Sequence, residues 1–242
     1  MRIATWNCNG ALRNKLDALR GLTFDIAVIQ ECEDPARCSD PNYRSWAANY
    51  LWTGTNKNRG LGVFARTGRK LLRAELDAGS LELFLPCFVD DSFLLVAVWT
   101  QHADSPTFRY IGQLWKFIQL HRAALSAQPT AIVGDLNSNV CWDKRHRRNH
   151  SDVVRELAEV GLESVYHHCR NLPQGSETEP TFFLQRNLRK PYHIDYAFAP
   201  VPWLTNSSAW IGEPEQWLQH SDHMPLVVSL DGPQVLTAAD SG

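Results

Sequence analysis

Short apolar runs that end in a polar residue are the feature that most limits how this chain can fold. The clearest are FDIAVIQ at 24–30, LGVFA at 61–65 and FLLVAVW at 93–99. Apolar runs of this length, bounded by turn residues, are typical of buried strands. Residues 2–6 and 130–133 have the same character, and two later strands are predicted at 192–198 and 225–230.

Three segments have the spacing or the end signals of helices. Residues 11–20 carry leucines three and four positions apart. A second helix is predicted to begin at Ser105-Pro106, and a third has Ser151 as its expected N-cap. Strands mixed with helices predict an α/β (α+β) layered fold. We expect one domain over residues 1–232, followed by a tail at 233–242.

Composition excludes several classes of protein. Lys and Arg total 24 against 26 Asp and Glu, a net charge of −2, which argues against binding nucleic acid by bulk charge alone. No apolar run is long enough to span a membrane, and the N-terminus lacks a signal peptide, so we expect a cytoplasmic protein without membrane contact. The six cysteines form no C-x-x-C pair and are predicted to be reduced thiols.

Polar residues at the ends of the predicted strands carry the functional information. Strand ends of a layered sheet share one rim, so residues that are distant in sequence can converge there. Clustered carboxylates repel one another unless a cation balances them, and oxygen ligands suit Mg²⁺ or Mn²⁺. Such a site, with amides and a histidine nearby, is typical of phosphate-ester chemistry. The residues concerned are Asn7, Asn9, Glu31, Asp135, Asn137, Asp195, Asp222 and His223.

Each of these residues also has a structural explanation. Asn7 and Asn9 can form a turn before a glycine, and Asp135 can form an Asx-turn. Glu31 can interact with a helix dipole, and Asp222 and His223 can cap the segment before a proline. Asp195 is harder to explain in this way, because it falls inside an apolar strand where an unpartnered carboxylate is costly.

Five short motifs carry a resemblance to a known family. They are TWNCNG at 5–10, IQE at 29–31, GDLNSN at 134–139, HIDYAF at 193–198 and SDHMPLVV at 221–228. In this order the chain resembles the endonuclease/exonuclease/phosphatase superfamily of metal-dependent phosphodiesterases, which includes exonuclease III-type abasic-site endonucleases and deoxyribonuclease I-like enzymes. The resemblance implies a four-layer α/β sandwich, two packed mixed β-sheets flanked by helices, with the site at one rim.

The resemblance also implies roles for individual residues. It implies a Mg²⁺ or Mn²⁺ ion held by Glu31, Asn9 and Asp222. It implies that Asp135 activates the attacking water. It also implies that Asn7 and Asn137 bind phosphate and orient Asp135. His223 would contact the scissile phosphate, with Asp195 as its orienting carboxylate.

One position departs from the family pattern. Many relatives have a Tyr or His just after the strand equivalent to 93–99, where it contacts the phosphate or leaving group. This chain has Trp99, whose indole has no acid–base function near neutral pH. His102, three residues later, is the candidate for that role.

The substrate class is predicted from two basic clusters beside the motifs. A solvated charge run is the alternative explanation, but their position favours contacts with a phosphate backbone, and we expect a nucleic acid, DNA ahead of RNA. Trp142 and Trp203 are candidates for stacking, although core packing explains either equally well. The basic residues are Lys144, Arg145, Arg147 and Arg148 in the first cluster, and Arg186, Arg189 and Lys190 in the second.

Other functions stay open at this point. The same motifs serve phosphatases and phosphodiesterases of phosphoinositides or sphingolipids, and RNA-cutting relatives. A non-catalytic binding module of the same fold is a further alternative. Within DNA nucleases, abasic-site endonuclease, 3′→5′ exonuclease and nicking activities are not separated by these residues. We expect a monomer.

Overall fold

The computed structural model describes residues 1–102, 108–144 and 148–232. The predicted helix start at Ser105-Pro106, the basic residues Arg145 and Arg147, and the tail at 233–242 lie outside the described residues. Within them, no helix is long and apolar enough to cross a membrane. All six cysteines are described, and all are free thiols.

Two six-stranded sheets form the centre of the molecule. The first has the order β13–β14–β1–β2–β4–β3, and the second has the order β5–β6–β7–β8–β12–β9. In each sheet one neighbouring pair is parallel, β1 with β2 and β7 with β8, and the other pairs are antiparallel. The first sheet comprises β1 (Arg2–Asn7), β2 (Ile26–Cys32), β3 (Tyr50–Asn56), β4 (Arg59–Ala65), β13 (Ser208–Ile211) and β14 (Leu226–Ser229). The second comprises β5 (Leu71–Arg73), β6 (Phe84–Val89), β7 (Phe93–Trp99), β8 (Thr130–Asp135), β9 (Leu162–Ser164) and β12 (Asp195–Pro200).

A short hairpin, six α-helices and five short 3₁₀ segments complete the described structure. The hairpin pairs β10 (Phe182–Phe183) with β11 (Pro191–Tyr192). The helices are α1 (Leu16–Arg20), α2 (Pro41–Trp46), α3 (Ile111–Ser126), α4 (His150–Glu159), α5 (Val165–Arg170) and α6 (Pro214–Trp217).

Side-chain alternation along the strands produces four layers. In β7, Phe93, Leu95 and Ala97 belong to the core between the sheets, whereas Leu94 and Val96 pack with residues of α3 and α4. Both faces are therefore buried, which explains why the β7 sequence is continuously apolar.

Aromatic side chains cover the outer face of the first sheet. Trp217 of α6 packs edge-on against Trp6 of β1, with ring centres 5.1 Å apart, and Trp46 of α2 lies 4.8 Å from Phe64 of β4. The predicted four-layer α/β sandwich is confirmed.

Three predicted elements need correction. Residues 11–20 are not one helix, because Ala11 has a positive φ of 50° and a 3₁₀ turn (Leu12–Asn14) precedes α1. The third predicted helix has Asn149 as its N-cap instead of Ser151, with a reciprocal capping box to Asp152. The strand predicted over 192–198 is divided, because β11 ends at Tyr192 and pairs with β10, while β12 begins at Asp195.

A glycine allows the second sheet to close tightly next to the polar rim. Gly134 lies in β8 with φ +154°, and a Cβ atom there would be 1.8 Å from the carbonyl oxygen of Val98 in β7. Any larger residue would push β7 and β8 apart immediately before Asp135.

We therefore expect Gly134→Ala to lower the free energy of unfolding by more than about 3 kcal/mol, from the backbone clash and the unfavourable φ. Urea denaturation followed by circular dichroism measures this. Gly161→Ala is the matched control, because Gly161 also has a positive φ of +81° but open space around it. A Gly134→Ala loss no larger than the control's would contradict the proposed strain.

Candidate active site

Two buried carboxylates face each other across neighbouring strands, with a histidine between them and the solvent. Asp135 ends β8 and Asp195 begins β12, and the two are direct cross-strand partners. Both side chains are fully buried. His223 Nδ1 lies 2.9 Å from Asp195 Oδ2, and its Nε2 is 3.9 Å from Asp135 Oδ2. These three residues form the acidic–histidine cluster of the site.

The cluster changes the protonation of its members. Burial raises the pKa of the Asp135 carboxyl to about 7, and the charge of Asp195 adds to this, against the opposing effect of His223. Burial alone would lower the pKa of His223, but the carboxylates of Asp195 and Asp135 raise it to about 9. Near neutral pH the imidazole is thus a cation between two buried acids.

Two amides hold Asp135 in place. Asn7, the last residue of β1, donates from Nδ2 to Asp135 Oδ2 over 3.0 Å, so it connects the two sheets. Asn137 donates from its backbone N to Oδ1 over 2.8 Å and from Nδ2 to Oδ2 over 3.1 Å. The positive φ of 44° at Asn137 turns the backbone so that both its N–H and its side-chain amide reach the Asp135 carboxylate.

The three predicted metal ligands lie beside this cluster and are linked to it through Asn7. Asn7 Nδ2 is 3.3 Å from Glu31 Oε1, and its Oδ1 accepts from the backbone N of Asn9 over 3.0 Å. Asn9 Nδ2 in turn donates to Asp222 Oδ1 over 3.0 Å. The side chains of Glu31, Asn9 and Asp222 offer oxygen donors, which suits a hard dication such as Mg²⁺.

A β-bulge presents Glu31. The pairing of β2 with β4 shifts between Gln30 and Cys32, and Glu31 has a positive φ of 62°. The extra residue turns the Glu31 side chain out of the ladder and toward the rim.

Arg59 occupies the cation position next to Glu31. Its Nη2 lies 2.6 Å from Glu31 Oε1, and its guanidinium is 5.4 Å from the centre of the Trp99 ring. The Arg59 guanidinium therefore balances the charge of the Glu31 carboxylate and occupies the place that a metal cation would take. Sequence reasoning missed Arg59, because nothing in the sequence distinguishes it from other arginines at strand starts.

The acidic–histidine cluster is a better base site than metal site. His223 uses Nδ1 for Asp195, and both oxygens of Asp135 accept hydrogen bonds from Asn7 and Asn137. A metal bound there would displace these bonds, whereas at Glu31 both described partners, Arg59 and the Asn7 amide, contact the same oxygen, Oε1.

The loop that carries Asp222 and His223 is fixed from both sides. Phe183 donates its backbone N to Asp222 O over 2.8 Å, and the Phe182 ring lies 4.6 Å from the His223 ring. Thr181 Oγ1 accepts from the backbone N of Asp195 over 3.0 Å. Ser221 Oγ donates to Asn7 O over 2.7 Å. Thr181 and Phe182 gave no signal in the sequence, whereas Ser221 lay inside a quoted motif.

The described members of the two predicted basic clusters lie in two groups. Arg186, Arg189 and Lys190 are exposed in the β10–β11 turn. The pKa of Lys15 is lowered by burial and by the nearby charge of Arg186, and Lys15 Nζ donates to Asn9 O over 3.3 Å. Lys15, which sequence reasoning missed, therefore joins Arg186 on the Asn9 side of the site.

The second group lies on the Asn137 side. Lys144 and Arg148 line a cleft together with Asn137 and Trp142, whose ring is 44% exposed. Trp203, the other candidate for stacking, is instead buried and packs edge-on against Phe93 with ring centres 5.4 Å apart.

His102 is not brought into the hydrogen-bonded cluster. Its side chain is exposed, and its ring lies 6.1 Å from that of Tyr110. The structure thus collects Asn7, Asn9, Glu31, Asp135, Asn137, Asp195, Asp222 and His223 at one rim, as expected, while their chemical roles stay predictions.

Comparison with known proteins identifies the fold. No family model matches the chain, and no curated protein matches its sequence. Solved structures do match. A 3′ phosphatase, NExo from Neisseria, bound to a product DNA hairpin, has a TM-score of 0.71 at 18% identity over 96% of this chain and 99% of its own.

Two nuclease structures match as well. An AP endonuclease from Archaeoglobus fulgidus gives a TM-score of 0.67 at 16% identity, over 96% of this chain and 99% of that one. The APE2 catalytic domain from Xenopus laevis gives 0.65 at 15% identity, over 96% and 92%. The chain has the exonuclease III-type fold.

The raised pKa of His223 gives a direct test of the cluster. In metal-free protein we expect Asp195→Asn to lower the pKa of His223 well below about 9, because the largest favourable charge is removed. Long-range ¹H–¹⁵N NMR titration measures this, with His223→Gln to assign the signal and the other histidines as internal controls.

The same pair affects stability in a defined pH window. The pKa of His223 in the folded protein lies above the value of about 6.5 for an exposed histidine. The pair of His223 with Asp195 therefore adds to the free energy of unfolding below about pH 6.5, and this stabilisation is lost as the pH rises toward 9.

For the NMR titration, an unchanged pKa of His223 in Asp195→Asn would contradict the assigned pairing.

Proposed function

We propose that this protein is a divalent-metal-dependent phosphodiesterase that hydrolyses nucleic-acid phosphodiester bonds, with DNA as the favoured substrate. The observation that carries the proposal is the buried Asp135–Asp195–His223 cluster, hydrogen-bonded through Asn7 to Glu31, at the rim of an exonuclease III-type fold. Buried acids with shifted protonation beside oxygen ligands are typical of catalytic centres.

Glu31, Asn9 and Asp222 would hold a Mg²⁺ or Mn²⁺ ion. When bound, such an ion balances the charge of the phosphoryl oxygens and lowers the pKa of coordinated water. Asn7 supports this arrangement, since its amide bonds both Glu31 and Asp135 and so fixes the separation of the two carboxylates.

Asp135 is the proposed general base. A carboxyl with a pKa of about 7 is half ionised near neutral pH, and it accepts a proton from water more readily than an ordinary aspartate does. Asn137 and Asn7 orient its oxygens, so the attacking water would meet a lone pair of fixed direction.

His223 is the proposed phosphate-binding cation. Asp195 accepts from Nδ1, which leaves Nε2 free to donate to a phosphoryl oxygen. The 3.9 Å distance between Nε2 and Asp135 Oδ2 is too long for a direct hydrogen bond, so the Nε2 proton would be available to an oxygen atom of substrate or water. The imidazolium would stabilise the negative charge that develops in the transition state.

A nucleic-acid substrate is supported by the charge around the site and by the fold. Lys15 and Arg186 lie on the Asn9 side, and Lys144 and Arg148 on the Asn137 side. Matching structures include an AP endonuclease and a 3′ phosphatase bound to a DNA hairpin. We therefore propose that this chain hydrolyses phosphodiester bonds of DNA. We further propose that it acts as a monomer and that residues 1–232 form its catalytic domain.

The test is hydrolysis with and without metal. Purified protein should nick supercoiled plasmid in Mg²⁺ or Mn²⁺ and lose this activity in EDTA. Intact, single-stranded and abasic oligonucleotides, RNA and soluble phosphoinositide headgroups form the substrate panel. Cleavage of the headgroup alone would replace a nuclease by a lipid phosphatase, and binding without cleavage would indicate a non-catalytic module.

We expect Asp135→Asn and His223→Ala each to lower kcat by about 100-fold or more, because each removes a group that acts in the transition state. His121→Ala is the matched control, since this half-buried histidine on α3 lies outside the site and its ring nitrogen contacts the backbone carbonyl of Asp77. Circular dichroism would verify folding. Near-native turnover of either folded variant would exclude its proposed role.

Arg59 gives a test that does not depend on turnover. We expect Arg59→Gln to tighten Mn²⁺ binding by about two- to fivefold, because an exposed ion pair that competes for Glu31 is removed. Isothermal titration calorimetry measures this, with Arg20→Gln, which loses the exposed pair with Asp17, as the control. Weaker binding would mean that Arg59 supports the metal site instead of competing with it.

A further inference from the structure

A cleft beside Asn137 has the features of a nucleotide-binding site. Its volume is about 490 Å³, and it is formed between the segment before α3 and the loop before α4. We refer to it as the Trp142 cleft, lined by Arg109, Tyr110, Asn137, Trp142, Lys144 and Arg148 among others. Because Asn137 lines the cleft and also bonds Asp135, the cleft lies next to the proposed catalytic centre.

The Trp142 cleft carries positive charge. Arg109, Lys144 and Arg148 contribute +3 and Asp143 contributes −1, which leaves +2 among the lining residues. Asp143 is also engaged at the start of α4, where its carboxylate accepts from the backbone N of His150 over 2.8 Å and from Ser151. The cationic side chains are thus available to an anion such as a nucleic-acid phosphate.

Aromatic rings are exposed in the same cleft. Trp142 is 44% exposed and Tyr110 is 43% exposed. A solvent-exposed ring beside cationic side chains is the combination that binds unpaired bases, since the base stacks while the phosphate is neutralised.

Hydrogen bonds hold the 3₁₀ turn that carries Trp142 in place. Asn139 accepts from the backbone N of Cys141 over 3.0 Å, which caps the 3₁₀ turn that carries Trp142. The side chain of Asn149 bonds both the backbone N and the backbone O of Lys144, two residues after Trp142. A pre-formed platform loses little conformational entropy when a ligand binds.

Arg148 is also oriented before any ligand arrives. Its guanidinium lies 4.7 Å from the centre of the Trp115 ring and 5.4 Å from that of Phe108. Packing over two rings fixes the plane of the guanidinium while its charge is retained.

A row of rings connects the cleft with the catalytic histidine. Trp142 is 4.9 Å from Tyr192, Tyr192 is 6.4 Å from Phe182, and Phe182 is 4.6 Å from His223. A strand whose phosphate reaches His223 can continue along this row and place a base farther along the strand at Trp142.

We propose that the Trp142 cleft binds an unpaired nucleotide of the substrate strand, with its base stacked on Trp142 and its phosphate paired with Lys144 and Arg148. A base stacked on a protein ring has left the duplex stack, so single-stranded or frayed nucleic acid is the preferred substrate. This inference rests on the proposed nuclease function and names the strand that it acts on.

Binding measured in EDTA separates this site from catalysis. Fluorescence anisotropy of a labelled 12-nucleotide DNA strand is compared with that of the same sequence in a blunt duplex. We expect wild-type protein to bind the single strand more tightly, and Trp142→Ala to weaken that binding by about tenfold or more. Trp142→Phe keeps a ring and should restore most of the affinity.

Trp210→Ala is the matched control, because Trp210 is 42% exposed on β13, outside the cleft. It should change the affinity for the single strand by less than about twofold. The inference is overturned if Trp142→Ala weakens the single-strand affinity no more than Trp210→Ala, or if wild-type protein binds the duplex more tightly.

The salt dependence tests the phosphate contacts. Lys144→Ala should reduce the slope of log Kd against log salt for the single strand by about 0.7, the value for one lost phosphate contact. Lys70→Ala, which removes an exposed lysine paired with Asp91, should leave the slope unchanged. Equal slopes for wild type and Lys144→Ala would overturn the phosphate contact.

Hydrolysis of bis(p-nitrophenyl) phosphate by wild-type protein tests the proposed function alone, because this diester has no nucleobase. Metal-dependent hydrolysis without a Trp142 effect on binding would reject the cleft and keep the nuclease. Trp142-dependent binding without hydrolysis of any diester would reject the nuclease and keep the cleft as a binding site for single strands.

Discussion

The pairing of Asp135 with Asp195 across two adjacent antiparallel strands is the constraint on which the site depends. Two fully buried carboxylates at one strand pair are unfavourable unless a cation lies next to them. His223 supplies that cation: the two carboxylates raise its pKa, and its charge opposes the rise that burial causes in the pKa of Asp135. The proposed base, Asp135, and the proposed phosphate-binding cation, His223, therefore lie within one buried cluster.

Oxygen donors and positive side chains lie on different sides of this cluster. Glu31, Asn9 and Asp222 form an oxygen-rich side, where Arg59 already demonstrates the preference for a cation. Positive side chains flank the rim at Lys15 with Arg186 and at the Trp142 cleft. A chain with a net charge of −2 thus has local positive surfaces beside a group of oxygen donors, which the proposed function assigns to a polyanion and a dication.

The sequence predicted much of this arrangement, and the errors have identifiable causes. Apolar runs located the central strands because burial on both faces leaves a continuous pattern, as in β7. The helix predicted over 11–20 was wrong because leucine spacing does not report the positive φ at Ala11. Ser151 was a plausible cap, but the Asn149–Asp152 capping box begins the helix earlier. Trp203 is buried in the core, a distinction that composition cannot make.

By itself, the sequence determined which residues could do chemistry, since polar side chains at the ends of buried strands must gather at a rim. Only the tertiary structure decided their partners. Hydrogen bonds between residues more than one hundred positions apart, such as Asn7 with Asp135, exist because two sheets pack face to face. Pairing of β2 with β4 within the first sheet brings Arg59 to Glu31, and an isolated antiparallel bridge brings Phe182 to His223. Local patterns carry no record of such contacts, because they depend on how strands are ordered and not on the residues beside each one.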